Sequence, residues 1–521
     1  MAYPKIVKLV YKRIKRLYED LVFNLIQKKL VSFNATNSDR VFIFSTPRHL
    51  YYENLYLLIS HELARRNFPS CFLFDNGKHS PDSPELIVDK LVLNKSIYTI
   101  ELRKKFDCKK YNPPTFDREI DLPGGVAKID GINFFYEIQC SMQRIYKSYT
   151  LDFDDETIVA TAHEMIESCS LLLDIYRKIH QYANKENQKI IFCGWETTYL
   201  PNSIFNKLCS ESTQKYVHYV ALDRGYMHYF GKERNASNIA MANLTKEKVV
   251  SRLSITRQEL DSYSLSVADQ EIADHSIIKA LKESENRIVN NLQQTKSEVM
   301  RTISKFGHNR KIFVLFAHLF YDAPVLDKSD AFQDMQEWII ETIKYFQKSE
   351  HLLLLKPHPL EINPFKPQIE PNQRLIDLVK PYLGKENIQL LHPLLFGTKD
   401  LISFLDCGLV WRSSVALELT YLQVPTIIAG VPPYQTLDLC YAQSREHYFE
   451  LIESSEKIKI TEKQKNDVIY YLSYFEHNKH IYIKQLKRTG NWDFLWMSKH
   501  LLSRDKNVEL LVDQLLEKTE N

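Results

Sequence analysis

The sequence predicts an α/β protein built from two doubly wound, Rossmann-like parallel sheets that face each other across a cleft and are joined by a helical connector. Three observations carry this. Short, uninterrupted apolar runs alternate with amphipathic stretches of helical spacing, the pattern of strands buried on both faces and linked by crossover helices. The alternation occurs twice, over 40–222 and again over 311–428, with a polar stretch poor in Gly and Pro at 245–305 between them. At 521 residues the chain is long enough for two or three such units.

In order along the chain, residues 1–30 come first. Ile6, Val10, Ile14, Leu17 and Leu21 recur at helical spacing, and Lys5, Lys8, Lys12, Arg13, Lys15 and Arg16 fill the positions between. This predicts a basic amphipathic helix. It suits peripheral contact with the inner face of a membrane, where lysines meet anionic lipid, and equally a solvated helix packed on its own domain. A first Rossmann-like domain is expected over 31–244. ArgValPheIlePheSer (40–45) reads as a strand. A turn with Pro47 follows, then a helix through Leu55, Leu58, Ile59 and Leu63, then the strand CysPheLeuPheAsp (71–75). Residues 76–132 carry five prolines and Gly124–Gly125 and read as a less regular insertion suited to shaping an acceptor site. A long helix near 155–183 sets Ile158, Ala162, Met165, Cys169, Leu172 and Ile175 on one face. A strand at 189–195, a helix near 201–210 and a strand near 216–222 complete this half.

Residues 245–305 read as the connector, and 306–521 as a second Rossmann-like domain with closing helices. Its strands are expected at 311–317, 352–355, 388–391, 408–410 and 426–428. Helices are expected at 331–348, 373–383, 398–405 and 414–422.

Composition bounds the function. An apolar fraction of 44%, a charged fraction of 26% and a net charge of +3 are those of an ordinary globular protein, without the basic footprint of a nucleic-acid reader. Eight scattered cysteines with no CxxC spacing read as buried, reduced thiols. With no signal peptide and no apolar run of membrane-spanning length, this predicts a cytoplasmic protein. Only 13 glycines are present and neither GxxxxGK[ST] nor GxGxxG occurs, so a phosphate would be gripped chiefly by a helix N-terminus.

Ligands of open parallel sheets bind beyond the carboxyl ends of the strands. There the second half carries AlaHisLeuPheTyrAsp, with His318 and Asp322; LysProHisPro, with Lys356 and His358; and TrpArgSerSer, with Arg412, Ser413 and Ser414, opening a helix that carries Glu418. Two prolines fix the backbone around His358. A histidine held so is a donor for a phosphate oxygen with Lys356 as a nearby charge, or the cap of a rigid turn. Ser413 or Ser414 is the expected N-cap, presenting N–H groups and Arg412 to an anion. Glu418, one turn on, suits a pair of ribose hydroxyls or a salt bridge.

Together these stretches, with SerSerValAlaLeuGluLeuThrTyrLeuGlnValProThrIleIleAlaGly and the ProProTyr and SerArgGluHisTyrPhe that follow, resemble the capsule polysaccharide biosynthesis family of GT-B glycosyltransferases. That group includes Kdo transferases and is distantly similar to CDP-glycerol glycerophosphotransferases. The resemblance covers roughly 311–450. It implies a GT-B-like fold whose second half binds a nucleotide-sugar donor, with His318, His358 and Ser413–Ser414 about the phosphate and Glu418 at the ribose. It implies transfer to a glycan or glycolipid acceptor in building a bacterial surface polysaccharide of the capsule or lipopolysaccharide type, with no metal or other cofactor. The family often has Arg where Lys356 stands and a small or polar residue where Arg412 stands. Catalytic groups are then expected in the first half. His49 and Glu53 lie in the first strand–helix turn and Glu196 follows the strand at 189–195; one of them would take the acceptor proton. The alternatives are a CDP-polyol phosphotransferase, a nucleotide-sugar epimerase and a non-catalytic assembly subunit.

Other motifs are declined. Asp152-Phe153-Asp154 spells a metal-binding DxD, but Asp155 and Glu156 follow at the start of a long helix, where acids favour the dipole. His163-Glu164 lacks the second histidine of HExxH, and there is no GxSxG.

Overall fold

The computed structural model describes residues 39–47, 50–68, 70–75, 88–93, 115–185, 189–194, 198–211, 217–224, 238–241, 255–263, 296–306, 310–322, 328–362, 371–474, 480–483 and 505–520. The amphipathic segment 1–30 and most of the connector lie outside them.

The first half forms strands β1 (Arg40–Pro47), β2 (Ser70–Asp75), β3 (Val88–Leu93), β4 (Arg118–Asp121), β5 (Val126–Ile129), β6 (Ile132–Asn133), β7 (Lys189–Gly194), β8 (Val217–Arg224) and β9 (Asn238–Met241). The second forms β10 (Ile312–Phe316), β11 (Leu352–Lys356), β12 (Ile388–Leu390), β13 (Cys407–Val410) and β14 (Thr426–Ile428), and near the end of the chain comes β15 (His480–Tyr482). They make a seven-stranded sheet in the order β15-β9-β8-β7-β1-β2-β3, a five-stranded sheet in the order β12-β11-β10-β13-β14, and a small sheet β4-β5-β6. The five-stranded sheet is parallel throughout. In the larger sheet β8, β7, β1 and β2 are parallel, with antiparallel strands at both edges.

The five-stranded sheet is buried on both faces, which is why its strands read as unbroken apolar runs. Phe313, Leu315, Leu353, Leu355, Leu409 and Ile427 face helices Met335–Phe346 and Arg445–Glu453. Val314, Phe316, Leu352, Leu354, Val410 and Ile428 face helices Val415–Tyr421 and Glu462–Tyr474. In the larger sheet Ile43, Ile190 and Phe192 pack on helices Glu156–Lys185 and Asn202–Glu211. On the other face Phe44 meets Tyr56 of helix Leu50–Arg65, with ring centroids 5.1 Å apart. A fully buried aliphatic or aromatic side chain of this kind contributes about 1.5–3 kcal/mol.

Gly430, two residues beyond β14, is fixed by a close approach. Its N–H donates to the Trp411 carbonyl at 2.9 Å, and a Cβ there would lie 2.6 Å from that same oxygen and 2.8 Å from the Trp411 ring. Because the obstacle is backbone and a buried ring, Gly430→Ala is expected to destabilise the protein by about 1–3 kcal/mol, visible as a lowered thermal midpoint. An unchanged midpoint would show that the 411–414 loop yields freely.

Three features differ from the sequence reading. The insertion at 76–132 is not wholly irregular: β3 joins the larger sheet, and β4, β5 and β6 form a meander whose β5–β6 turn is Asp130-Gly131, both at positive φ. Asp-Gly is the signature of such a turn. The described parts of the 245–305 segment, helices Arg257–Asp261 and Lys296–Phe306, pack into the second core through Ile255, Leu260 and Val299. The tail does not stay with the second sheet. β15 pairs antiparallel with β9, and helix Lys506–Glu520 lies on the first sheet. There Arg40 donates to the Leu516 carbonyl at 2.7 Å and Arg66 binds Asp513.

Candidate functional site

Register sets the site. Phe316 of β10 is the partner of Lys356 on β11 and of Val410 on β13. Three adjacent parallel strands therefore end at one level. Two residues beyond that level stand His318, His358 and Arg412 in turn. Strand order reverses between β10 and β13 in this sheet, and between β1 and β7 in the larger one. Such switch points open a crevice at the carboxyl edge.

The His318 and His358 rings lie 5.8 Å apart, centroid to centroid. Each ring is oriented by its own main chain. His318 Nδ1 accepts from Leu319 N–H at 2.9 Å, and His358 Nδ1 accepts from Leu360 N–H at 3.1 Å. A ring nitrogen that accepts carries no proton, so in the neutral form of each ring these contacts select the tautomer with the proton on Nε2. Of the two sequence readings of His358, the Nδ1 contact shows the turn cap; a donor role would fall to Nε2.

Asp322 lies one loop beyond β10 and joins the two sheets. Its Oδ1 accepts from Arg144, at the end of helix Phe135–Tyr146, and from the Tyr199 hydroxyl, each at 3.1 Å. Tyr199 follows β7, and the Arg144 guanidinium stacks over its ring at 5.0 Å. His318 Nδ1 is 3.9 Å from the other carboxylate oxygen. Burial pushes the Asp322 carboxyl up, but His318, Arg144, the Tyr199 hydroxyl and His358 together hold it below the usual carboxylate range. Nearby, Gln373 Oε1 accepts from Tyr149 N–H and Thr150 N–H at 2.9 Å each, and the Tyr149 ring meets Phe320 at 5.8 Å. The carboxyl edge of β7 in one sheet and that of β10 in the other therefore meet at Asp322.

The remaining expected residues fall as follows. Lys356 is 6% exposed and turns inward: its ammonium donates to the carbonyls of Pro357 and Pro393. It braces the turns rather than facing a ligand. Burial pushes it down to about 8, with Glu361 opposing. Glu361, 2% exposed, accepts from Leu375 N–H, and burial pushes it up to about 7. Ser414 occupies the N-cap position of helix Val415–Tyr421 but with helical dihedrals and no side-chain cap bond. Ser413 Oγ accepts instead, from Val415 N–H at 3.3 Å. That helix has seven residues, fewer than the 414–422 expected. The Ser413 carbonyl is held by the buried Tyr434 hydroxyl at 2.6 Å, which gives ProProTyr a positioning role. Arg412 and Glu418 are half-buried on the same loop and helix. In the first half, Glu53 lies on helix Leu50–Arg65 with its side chain outside the described residues, as are His49 and Glu196. In sequence, His49 and Glu53 follow β1 and Glu196 follows β7, the two strands of the larger sheet's switch point.

Asp152 and Asp155 are engaged locally, accepting from Asp154 N–H at 3.0 Å and Thr157 N–H at 2.7 Å. Among the described residues no group of three or more His, Cys, Asp or Glu is placed to hold a metal ion, and no helix is long and apolar enough to cross a membrane. Sequence reasoning missed Arg144 and Tyr199, whose partner is far away in the chain. His392 stands in a second HisProLeu, identical to 358–360.

The buried Glu361 makes stability depend on pH. Its folded-state value of about 7 lies above the ordinary 4.5, so ionising it opposes folding, and stability falls as pH rises between those values. Lys356, lowered from 10.5 to about 8, adds the opposite slope above pH 8. Glu361→Gln is expected to flatten the acid limb, gaining on the order of 1–3 kcal/mol relative to the parent between pH 5 and 7. Denaturant midpoints at the two pH values check this; an unchanged slope contradicts it.

No protein-family model and no curated protein matches the sequence. Among solved structures the chain is similar to Thermosulfurimonas dismutans KpsC, a beta Kdo 2,7 transferase, at a TM-score of 0.35 and 14% identity, over 62% of this chain and 89% of that one. It is similar to the UDP-GlcNAc 2-epimerase of Neisseria meningitidis at 0.23 and 11%, over 92% and 99%. It is similar to the wall teichoic acid polymerase TagF at 0.22 and 9%, over 96% and 98%. With none of these scores above 0.35, likeness this loose carries no argument about what the chain does.

Proposed function

We propose that the chain is a GT-B-type glycosyltransferase that moves a sugar from a nucleotide-activated donor to a glycan or glycolipid acceptor in bacterial surface polysaccharide synthesis, without a metal. The observation that supports this most is the meeting of the carboxyl edges of two parallel sheets at Asp322, with the His318–His358 pair beside it. A donor seated beyond β10, β11 and β13 would have its phosphate near the Nε2–H of His358 and the loop of Arg412, Ser413 and Ser414, with Glu418 within a turn for the ribose. These fixed donors would stabilise the negative charge that grows on the leaving nucleotide. The acceptor would approach from the β1 and β7 side, where His49, Glu53 or Glu196 would take the hydroxyl proton.

The test is a calorimetric and thermal-shift titration of the purified protein with CMP, CDP, UDP, GDP and their sugar conjugates, with and without EDTA. Binding of one nucleotide class that survives EDTA is expected. Binding that needs an added divalent cation would overturn the metal-free donor site, and binding of none would overturn the transferase reading.

A further inference from the structure

Helix Phe135–Tyr146 of the first half ends at Lys147, which takes the left-handed conformation at φ 50° and donates its N–H back to the Gln143 carbonyl. Residues 147–150 then run as a short strap against the second half. Gln143, fully buried, fixes the strap from the first-half side, its Nε2 donating to the Tyr149 carbonyl at 2.7 Å. The second half holds it through Asn372 and Gln373. Asn372 N–H donates to the Lys147 carbonyl at 2.9 Å, and its Nδ2 donates to the Tyr146 carbonyl at 2.6 Å. Gln373 Oε1 gathers three donors, the Ser148 hydroxyl at 3.3 Å and the N–H groups of Tyr149 and Thr150 at 2.9 Å each.

The strap bears on the loops that carry both site histidines. The Tyr149 ring meets Phe320 edge to face at 5.8 Å. Phe320 is buried midway between His318 and Asp322, in the loop beyond β10. The Tyr149 hydroxyl bonds Asp334, whose carboxylate caps helix Met335–Phe346 by accepting from Glu337 N–H at 2.8 Å. On the other side, Gln373 stands two residues before Leu375, whose N–H donates to both oxygens of the buried Glu361 carboxylate at 3.2 Å. Glu361 closes the turn that His358 opens, its N–H donating to the His358 carbonyl at 3.0 Å. One strap of the first half therefore touches the loop beyond β10 through Phe320 and is tied to the turn beyond β11 through Gln373, Leu375 and Glu361.

We propose that Tyr149 and Gln373 are positioning residues of the candidate site: the strap of the first half braces the loops beyond β10 and β11, so these loops take their working conformation only with the strap in place. That the braced loops serve a nucleotide donor rests on the donor-site reading above. Every contact in the argument lies outside the ring nitrogens of the histidines, so the bracing of the loops does not depend on which atom of His318 or His358 meets a ligand.

The test is hydrogen exchange of the full chain, read on peptides covering 318–322, 358–362 and strands β10, β11 and β13, together with calorimetric titration by CMP, CDP, UDP and GDP. The variants are Tyr149→Leu, Tyr149→Phe, Gln373→Leu and Gln373→Glu, compared at a temperature well below the lowest of their thermal midpoints. The N–H groups of Leu319, Asp322, Leu360 and Glu361 are hydrogen-bonded within the two loops, so their exchange reports local opening. Tyr149→Leu removes the ring and the hydroxyl, and Gln373→Leu removes the acceptor of two strap N–H groups. Each is expected to speed exchange in both loops about tenfold with the strands at parent rates, and to weaken about tenfold whichever of the four nucleotides binds the parent. Gln373→Glu keeps the accepting oxygen and Tyr149→Phe keeps the ring on Phe320, so both are expected to stay near the parent in exchange and affinity. A strap that only stabilises the fold predicts lowered midpoints with loop exchange unchanged, or raised alike in loops and strands, and parent-like affinity; either pattern overturns the proposal. Loosened loops with parent-like affinity overturn it as well. If no nucleotide binds the parent, the donor reading falls by itself, and the loop exchange alone upholds or overturns the bracing.

Discussion

Asp322→Asn is expected to lower kcat/KM for transfer by about tenfold to hundredfold while leaving each sheet folded. The carboxylate accepts from Arg144 and from the Tyr199 hydroxyl, both at 3.1 Å. These two residues belong to the first half, and Asp322 to the second. An amide keeps the size and removes the charge that Arg144 faces. A hydrogen bond to a charged group contributes about 1.5–3 kcal/mol, and the 34% exposure of the Asp322 side chain puts this one toward the lower end. The loss falls on alignment of the loops beyond β7 and β10, and misplacement of reacting groups by an ångström is costly in rate. A positioning role predicts a fall in kcat with little change in donor affinity. It also predicts that Arg144→Gln and Tyr199→Phe give smaller effects that do not add to that of Asp322→Asn. The pH behaviour follows from the same contacts. The folded-state carboxyl is held below its ordinary value, so its stabilisation is present above that ordinary value and is lost only as pH falls through the depressed one. Between pH 5 and 8 the Asp322 linkage should therefore add no slope to stability. Donor affinity falling as much as kcat would contradict the positioning role.

His358→Ala is expected to weaken nucleotide binding by about tenfold to hundredfold, the range of one or two lost contacts to a charged oxygen. The ring sits two residues beyond the end of β11, faces His318 at 5.8 Å and is fixed by Leu360 N–H. Its removal takes away the Nε2–H donor and also frees the turn. His358→Gln restores reach at Nε2 but not the Nδ1 acceptor, so partial recovery of affinity is expected there. His358→Asn keeps an acceptor for Leu360 N–H and should recover folding without affinity. Calorimetry on the three variants separates these. Equal affinity in all of them would remove His358 from the site.

Much of this was legible because strands buried on both faces leave unbroken apolar runs. LeuLeuLeuLeu before Lys356 and ThrIleIle before Ala429 mark strand ends to within a residue, and the strand ends locate the loops. Periodicity does not say which sheet a later element joins. His480–Tyr482 follows the second sheet in sequence and yet completes an edge of the first. Nor does it say which way a long polar side chain turns: Lys356 reads as a surface charge beside a histidine, and its ammonium goes inward to two carbonyls. The Asp322 junction was half visible, since Asp322 stands in a strand-end loop. Its partners lie 178 and 123 residues away, a separation no local pattern spans. Of the two serines expected to cap the helix, Ser414 takes the position with a backbone that is already helical, and the side chain that accepts is that of Ser413.

The most direct test of the account is photolabelling with an azido-nucleotide of the class that binds, followed by mapping of the labelled peptides. Label on peptides spanning His318–Asp322, Pro357–Ile362 and Trp411–Glu418, displaced by unlabelled nucleotide and lost in His358→Ala, is the predicted result. Label confined to other segments, or label that unlabelled nucleotide does not displace, would contradict a donor site at the carboxyl edge of the second sheet.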